Sequence, residues 1–90
     1  MNGTLTMPDG TVILLTAIAL QTTKGHIAGT CRITPTEGIY VRRQAREVGQ
    51  LKLVDGRSAQ VRLGGVRPSN PVNQQDPMDV FHFQFVEGWD

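Results

Sequence analysis

The residues best suited to chemistry in this chain are two histidines and one cysteine, and none of them has a catalytic partner nearby in sequence. His26 and His82 lie in different halves of the 90-residue chain, and no His-x-His or His-x-x-x-His spacing typical of a metal site occurs. Cys31 is the single cysteine, so the chain cannot form an internal disulfide and has no cysteine pair for zinc. The sequence therefore predicts a non-catalytic protein with no metal or cofactor.

The neighbours of these residues support the same interpretation. Arg32 follows Cys31, but adjacent side chains of a strand point to opposite faces, so we predict that Cys31 lies in the core without a cation beside it. Asp9 and Asp55 each precede a glycine, a turn position that aspartate fills for backbone reasons. His82 alternates with phenylalanines, which places it on the surface or in a polar groove.

Charge is unevenly distributed along the chain, although the formal net charge is only +1. Residues 41–68 carry seven basic and two acidic side chains, whereas residues 69–90 carry four acidic side chains and no basic one. Such a division suits a protein partner, including a second copy of the same chain. We predict a binding surface made of Tyr40, Arg42, Arg43, Arg46, Lys52, Gln60, Arg62, Arg67 and Trp89.

Two functions fit this set of residues. The first is a binding or assembly module, either a homo-oligomer or a protein adaptor, in which Trp89 folds back onto its own domain or inserts into a neighbour. The alternative is binding of single-stranded nucleic acid, because small barrels achieve it with arginines and an aromatic ring, here Tyr40, on a β-surface.

Two Asp-Gly turns organise the elements that must position these side chains. Residues 3–10 and 49–56 match at four positions and end in the same Asp-Gly pair, which predicts two hairpins at 3–15 and 49–61. Pro8 and Gly10 favour a turn that is closed by a glycine bulge in the first hairpin. The hairpins are either an internal repeat within one domain of residues 1–90 or a chance resemblance, because turn chemistry alone favours Asp-Gly.

The remaining segments predict a mostly β protein of about six short strands, either a barrel or a sandwich. Residues 11–20 are apolar at both alternating faces, which indicates a strand buried on both faces or bent between two sheets, with a helix over 14–21 as the alternative. Residues 26–34 and 80–86 predict further strands. Residues 39–41 predict a short strand that leads into a short helix at 42–48.

Two further features bear on partners and location. Residues 67–79 contain three prolines and several amides without periodicity, which predicts a binding loop. The longest apolar run, residues 12–20, is too short to span a bilayer and does not resemble an export signal. Together with the single cysteine, this predicts a cytoplasmic protein without a membrane partner.

Overall fold

The chain forms a closed barrel of antiparallel strands with one short helix, as seen in a computed structural model that describes residues 1–68 and 78–90. The predicted β-barrel of about six strands is thus confirmed, and the sandwich is excluded. Most of the predicted binding loop at 67–79 lies outside the described residues. The elements are β1 (Gly3–Thr6), β2 (Val12–Thr23), β3 (His26–Ile33), α1 (Pro35–Arg43), β4 (Val48–Leu53), β5 (Ser58–Arg67) and β6 (Asp79–Phe85).

The strand order around the barrel is β1-β2-β3-β6-β5-β4, so two three-stranded meanders close on each other. The seams between them are the antiparallel pairs β1–β4 and β3–β6. Leu5 and Leu51, which occupy matching positions of the two similar segments, lie directly opposite each other in the first seam. The described part of the chain contains no helix long and apolar enough to cross a membrane.

Both Asp-Gly turns have the same hydrogen-bond pattern. The Gly10 N–H donates to the Met7 carbonyl at 2.9 Å, and the Met7 N–H donates to the Thr11 carbonyl at 2.7 Å. Gly10 has a φ of 93°, which glycine adopts without strain, so the predicted bulged turn is confirmed. The turn at Gly56, with a φ of 97°, repeats these bonds. Whether the hairpins arose by duplication stays a prediction.

A β-bulge explains why β2 looks apolar on both faces in sequence. The register with β3 shifts between Thr16 and Ala19, and Ala17 at the shift has a φ of 51°. Inward positions therefore change from odd to even numbers along the strand, and Leu15 and Ile18 are both buried. The strand is not buried on both faces, because Leu14 remains 68% exposed on the outer side.

The helix lies earlier in the chain than the sequence pattern indicated. Residues 39–41 are not a strand, and α1 ends at Arg43 and does not cover 42–48. Thr34 and Glu37 form a capping box: the Glu37 N–H donates to Thr34 Oγ1 at 3.2 Å, and the Thr34 N–H donates to Glu37 Oε1 at 3.0 Å. With Pro35 at its first position, the helix starts seven residues before the predicted one, at residue 35 instead of residue 42.

Gly38 made the start of this helix hard to recognise, because glycine usually indicates a turn. Its structural reason is a close approach: a Cβ at Gly38 would lie 2.8 Å from the Asp79 carboxylate and 3.3 Å from Val66 Cγ1. The helix thus packs against β5 and β6, and its Val41 is fully buried. The core side of β6 carries Phe81, Phe83 and Phe85, as predicted.

Candidate functional site

A groove of about 800 Å³ crosses the outer face of β2, β3, β6 and β5. Its outward-facing residues form two rows that run across the strands in the order β2, β3, β6, β5. We call this feature the outer groove. The first row is Gln21, Ala28, Gln84 and Arg62, and the second is Ala19, Thr30, His82 and Gly64.

Small residues and bulges give the outer groove its depth. Ala19, Ala28 and Gly64 leave space above the sheet, and the register of β5 shifts between Leu63 and Val66 much as that of β2 does at its own bulge. Bulges increase the local twist and curvature of a strand. The paired glycines Gly64 and Gly65 lie at this register shift, and the strand continues past it to Arg67.

Hydrogen-bonding side chains line the wall of the outer groove. Thr30 and His82 face each other across the β3–β6 pair, and Gln84 lies two residues further along β6. The Nε2 atom of His82 is buried and has no hydrogen-bond partner among the described residues. Buried polar atoms are nearly always satisfied, so such an atom in a groove wall is typical of a site that another molecule completes.

Arginines give this face its charge. Arg62 lies in the outer groove, and its Nη1 donates to the Arg46 carbonyl at 2.8 Å. Val80 of β6 pairs with Arg32 of β3 on one side and with Arg67 of β5 on the other. These two arginines lie one row beyond His82. No acidic side chain projects outward from the described residues of these three strands. The formal charges that project outward from the described residues of these three strands are therefore all positive.

The helix and the segment that follows it bring two more of the predicted arginines to the same edge of the barrel. Arg42 donates from Nη2 to the Val66 carbonyl at 3.2 Å, and the Arg46 N–H donates to the Leu63 carbonyl at 2.9 Å. Both residues therefore lie along β5, next to Arg62. Arg43 is exposed in the last turn of α1. The structure thus gathers the predicted arginines around β5.

Tyr40 lies apart from these arginines. Its hydroxyl group hydrogen-bonds to the carboxylate of Asp9 and contacts Thr11 Oγ1 at 3.2 Å, which ties α1 to the β1–β2 turn. Residues two apart on a helix do not share a face, so Tyr40 and Arg42 contact different parts of the barrel. The Tyr40 ring, which was predicted to stack beside the arginines, is therefore held at the β1–β2 turn instead.

Trp89 folds back onto its own domain, which is the first of the two predicted alternatives. Its ring packs edge-on against Phe85, with centroids 4.8 Å apart, and Arg57 lies 4.6 Å above its centroid. The Asp90 N–H donates to the Ser58 carbonyl at 2.8 Å and fixes the end of this segment. Trp89 is thus engaged within the domain.

Lys52 and Gln60 lie outside the outer groove. Lys52 is exposed on β4, between Thr4 of β1 and Ser58 of β5. Gln60 pairs with Gln50 on the same outer face of β4 and β5. The predicted surface therefore extends beyond the outer groove, with Gln60 two residues from Arg62 on the outer face of β5 and Lys52 on the neighbouring strand.

Two ionisable groups, Cys31 and Asp55, have environments that shift the pKa of their side chains. Burial raises the pKa of the Cys31 thiol to about 12, with a smaller effect of the Glu37 charge. Asp55 accepts from the Arg57 backbone N–H, and this bond and the Arg57 guanidinium lower the pKa of the exposed carboxyl group. The described residues contain no group of three or more His, Cys, Asp or Glu side chains that could hold a metal ion.

Comparisons with models of known protein families, with curated proteins and with solved structures found no match.

Several residues of this site were missed in the sequence. Arg32 was considered only as a neighbour of Cys31, although strand alternation already placed it on the outer face. Gln21 follows the predicted strand at 11–20, and Thr30 lies inside the predicted strand at 26–34, and the sequence indicated no role for either. The small residues Ala19, Ala28, Gly64 and Gly65 were a signal for a depression on the outer face. Residue spacing alone, however, does not specify which strands lie side by side.

Proposed function

We propose that this protein is a non-catalytic binding module that holds an extended, acidic segment of a partner protein in the outer groove. The observation that carries the proposal is the combination of a concave face with arginines and no outward acidic side chain on β3, β5 and β6 in the described residues. Arg62 and Arg67 supply the positive charge. Arginine and carboxylate form short, charge-assisted hydrogen bonds, so acidic side chains complement this face.

The dimensions of the outer groove suit an extended chain. Four neighbouring strands span about 14 Å across the sheet, because strands lie about 4.8 Å apart. A segment crossing them at about 3.3 Å per residue places about four residues in contact. Thr30, His82 and Gln84 then offer hydrogen bonds to its backbone and polar side chains.

A protein segment is favoured over single-stranded nucleic acid because no described aromatic ring lies open on this face. Tyr40 is bound to the β1–β2 turn, Trp89 packs between Phe85 and Arg57, and the phenylalanines point into the core. Base stacking contributes about 1–3 kcal/mol per base in single-strand binding. The arginines around β5 keep nucleic acid as the second candidate, since phosphate contacts need only positive charge.

Fluorescence anisotropy with three labelled probes tests the proposal: an oligo-glutamate peptide, a glycine-serine peptide and an oligo-thymidine. We expect the acidic peptide to bind and the neutral peptide not to bind. Arg62→Gln and Arg67→Gln should each weaken binding about tenfold, which corresponds to about 1.4 kcal/mol. Lys52→Gln is the matched control, because it removes the same charge from a position outside the outer groove and should leave affinity unchanged.

Each other outcome has a defined meaning. Equal losses of affinity for the acidic peptide in Arg62→Gln and Lys52→Gln would show a non-specific electrostatic attraction and overturn the assignment of the binding site to the outer groove. Tighter binding of oligo-thymidine than of oligo-glutamate, lost in the same arginine variants, would replace the protein segment by nucleic acid. The cytoplasm remains the proposed location, on the basis of the single cysteine.

A further inference from the structure

The second half of β2 has an open edge. β1 pairs with β2 only over residues 12–15, and no described strand continues that side of β2 beyond this stretch. The Ile18 N–H still donates to the Met1 carbonyl at 2.7 Å. From Ala19 to Thr23 the strand pairs with β3 alone in the described part of the chain.

The β2–β3 turn determines which backbone groups face this edge. Lys24 and Gly25 both have positive φ, 51° and 82°, as in a two-residue hairpin turn, so Thr23 and His26 form the first hydrogen-bonded pair. Hydrogen-bonded and non-hydrogen-bonded pairs alternate along antiparallel strands. The N–H and C=O groups of Leu20 and Thr22 therefore point away from β3, towards the open edge.

We propose that a second copy of this chain adds to the open edge by antiparallel β2–β2 pairing about a twofold axis at Gln21. Leu20 then exchanges two backbone hydrogen bonds with Thr22 of the partner subunit, and Thr22 does so with Leu20 of the partner subunit. Four hydrogen bonds result. Because these hydrogen bonds join β2 of one copy to β2 of the other edge to edge, the sheets of the two copies form one continuous sheet.

A second copy fits the open edge because the edge complements itself. Residues 18–23 carry no charge, so two copies meet there without electrostatic repulsion. The Gln21 side chains meet at the axis, and an amide offers both donors and an acceptor to an identical amide. The stretch also lacks the proline, lysine or inward charge with which exposed edges are commonly protected.

This inference concerns a surface beside the outer groove and does not rest on the proposed ligand. Ala19 and Gln21 belong to the open edge and also line the outer groove. The twofold axis runs perpendicular to the sheet, so the grooves of both copies lie side by side on one face. A dimer would therefore present two equivalent binding sites to one partner.

Light scattering after size-exclusion chromatography tests the dimer with matched variants. We expect the wild type to dimerise reversibly with concentration. Gln21→Glu and Gln21→Lys, which place like charges opposite each other, should each raise the dissociation constant at least tenfold, and mixing these two variants should restore dimers. Gln84→Glu is the control, because Gln84 is exposed on the same outer face but away from the edge, and this variant should still dimerise.

Amide hydrogen exchange locates the interface. The Leu20 and Thr22 amides should become protected as the protein concentration rises, since they gain partners only in the dimer. Three results would overturn the proposal: a monomer at every concentration, a dimer in which these two amides exchange as fast as in the monomer, or a dimer that both Gln21 variants leave intact. Binding of the acidic peptide to a monomeric protein would uphold the proposed function while rejecting this inference.

Discussion

At the scale of single residues, environment decides whether a reactive residue type can react. Cys31 has a thiol, but it is only 2% exposed and belongs to the hydrophobic core. Burial disfavours the thiolate, which is the reactive form. His82 shows the converse: strand alternation predicted an outward position, and the structure places its Nε2, which has no hydrogen-bond partner in residues 1–68 and 78–90, in the wall of a groove.

Alkaline pH should destabilise the fold through Cys31. The pKa rises from 9.0 to about 12 on folding, so the native state keeps a proton that the unfolded chain releases above pH 9. This stabilisation is complete below the unfolded pKa and is lost as the pH rises from 9 to about 12, by up to about 1.4 kcal/mol per pH unit. Urea unfolding at a series of pH values measures it.

The Cys31→Ala variant provides the comparison, because other groups also titrate in this range. We expect it to be less stable at neutral pH, since it loses buried atoms, and to lose less stability between pH 9 and 12 than the wild type. Parallel pH curves for both proteins would contradict the assigned role of the thiol.

At the scale of elements, bulges and caps explain where the sequence pattern and the structure diverge. Periodicity identified β2 as a strand, but the inward set changes at Ala17, because one extra residue reverses the alternation. For the helix, Thr34, Pro35 and Glu37 carried a start signal that Gly38 obscured. The local capping residues were thus sufficient to define where the helix starts. The need for glycine at position 38 arises from its close approach to Asp79, which is distant in sequence.

The paired glycines of β5 should respond differently to alanine. A Cβ at Gly64 would lie 2.7 Å from the His82 carbonyl oxygen, a backbone atom that cannot move without disturbing β6. A Cβ at Gly65 meets nothing within 4 Å. We expect Gly64→Ala to lose about 1–3 kcal/mol of unfolding free energy, and Gly65→Ala to be neutral or more stable by up to about 1 kcal/mol. Chemical denaturation measures both, and equal effects would show that the β5–β6 contact is not tight at Gly64.

At the scale of the whole molecule, two seams make the barrel one unit. Each meander contributes inward residues to the same core, and β1–β4 and β3–β6 pair the meanders on both sides. Leu5 and Leu51 meet in the first seam, and Cys31 and Phe81 meet in the second. Neither meander can bury its inner face without the other.

Unfolding should therefore be a single cooperative transition. Trp89 contacts Phe85 and Arg57, so its fluorescence reports on the second meander, while far-ultraviolet circular dichroism reports on all strands. We expect the two denaturation curves to coincide. A change in Trp89 fluorescence at a denaturant concentration that leaves the circular dichroism signal of the strands intact would show that the two meanders unfold separately.

The sequence by itself determined the local features of this protein: the two Asp-Gly turns, with a glycine bulge in the first, the strand character of residues 12–20, and the inward face of Phe81, Phe83 and Phe85. These follow from backbone preferences and alternation, which act over a few residues. Tertiary structure alone decided that the barrel closes, that Arg32 and Arg67 flank one strand, and that Gln21 lies on an open edge. Such neighbours are set by strand pairing between distant segments, and residue spacing does not specify which segments pair.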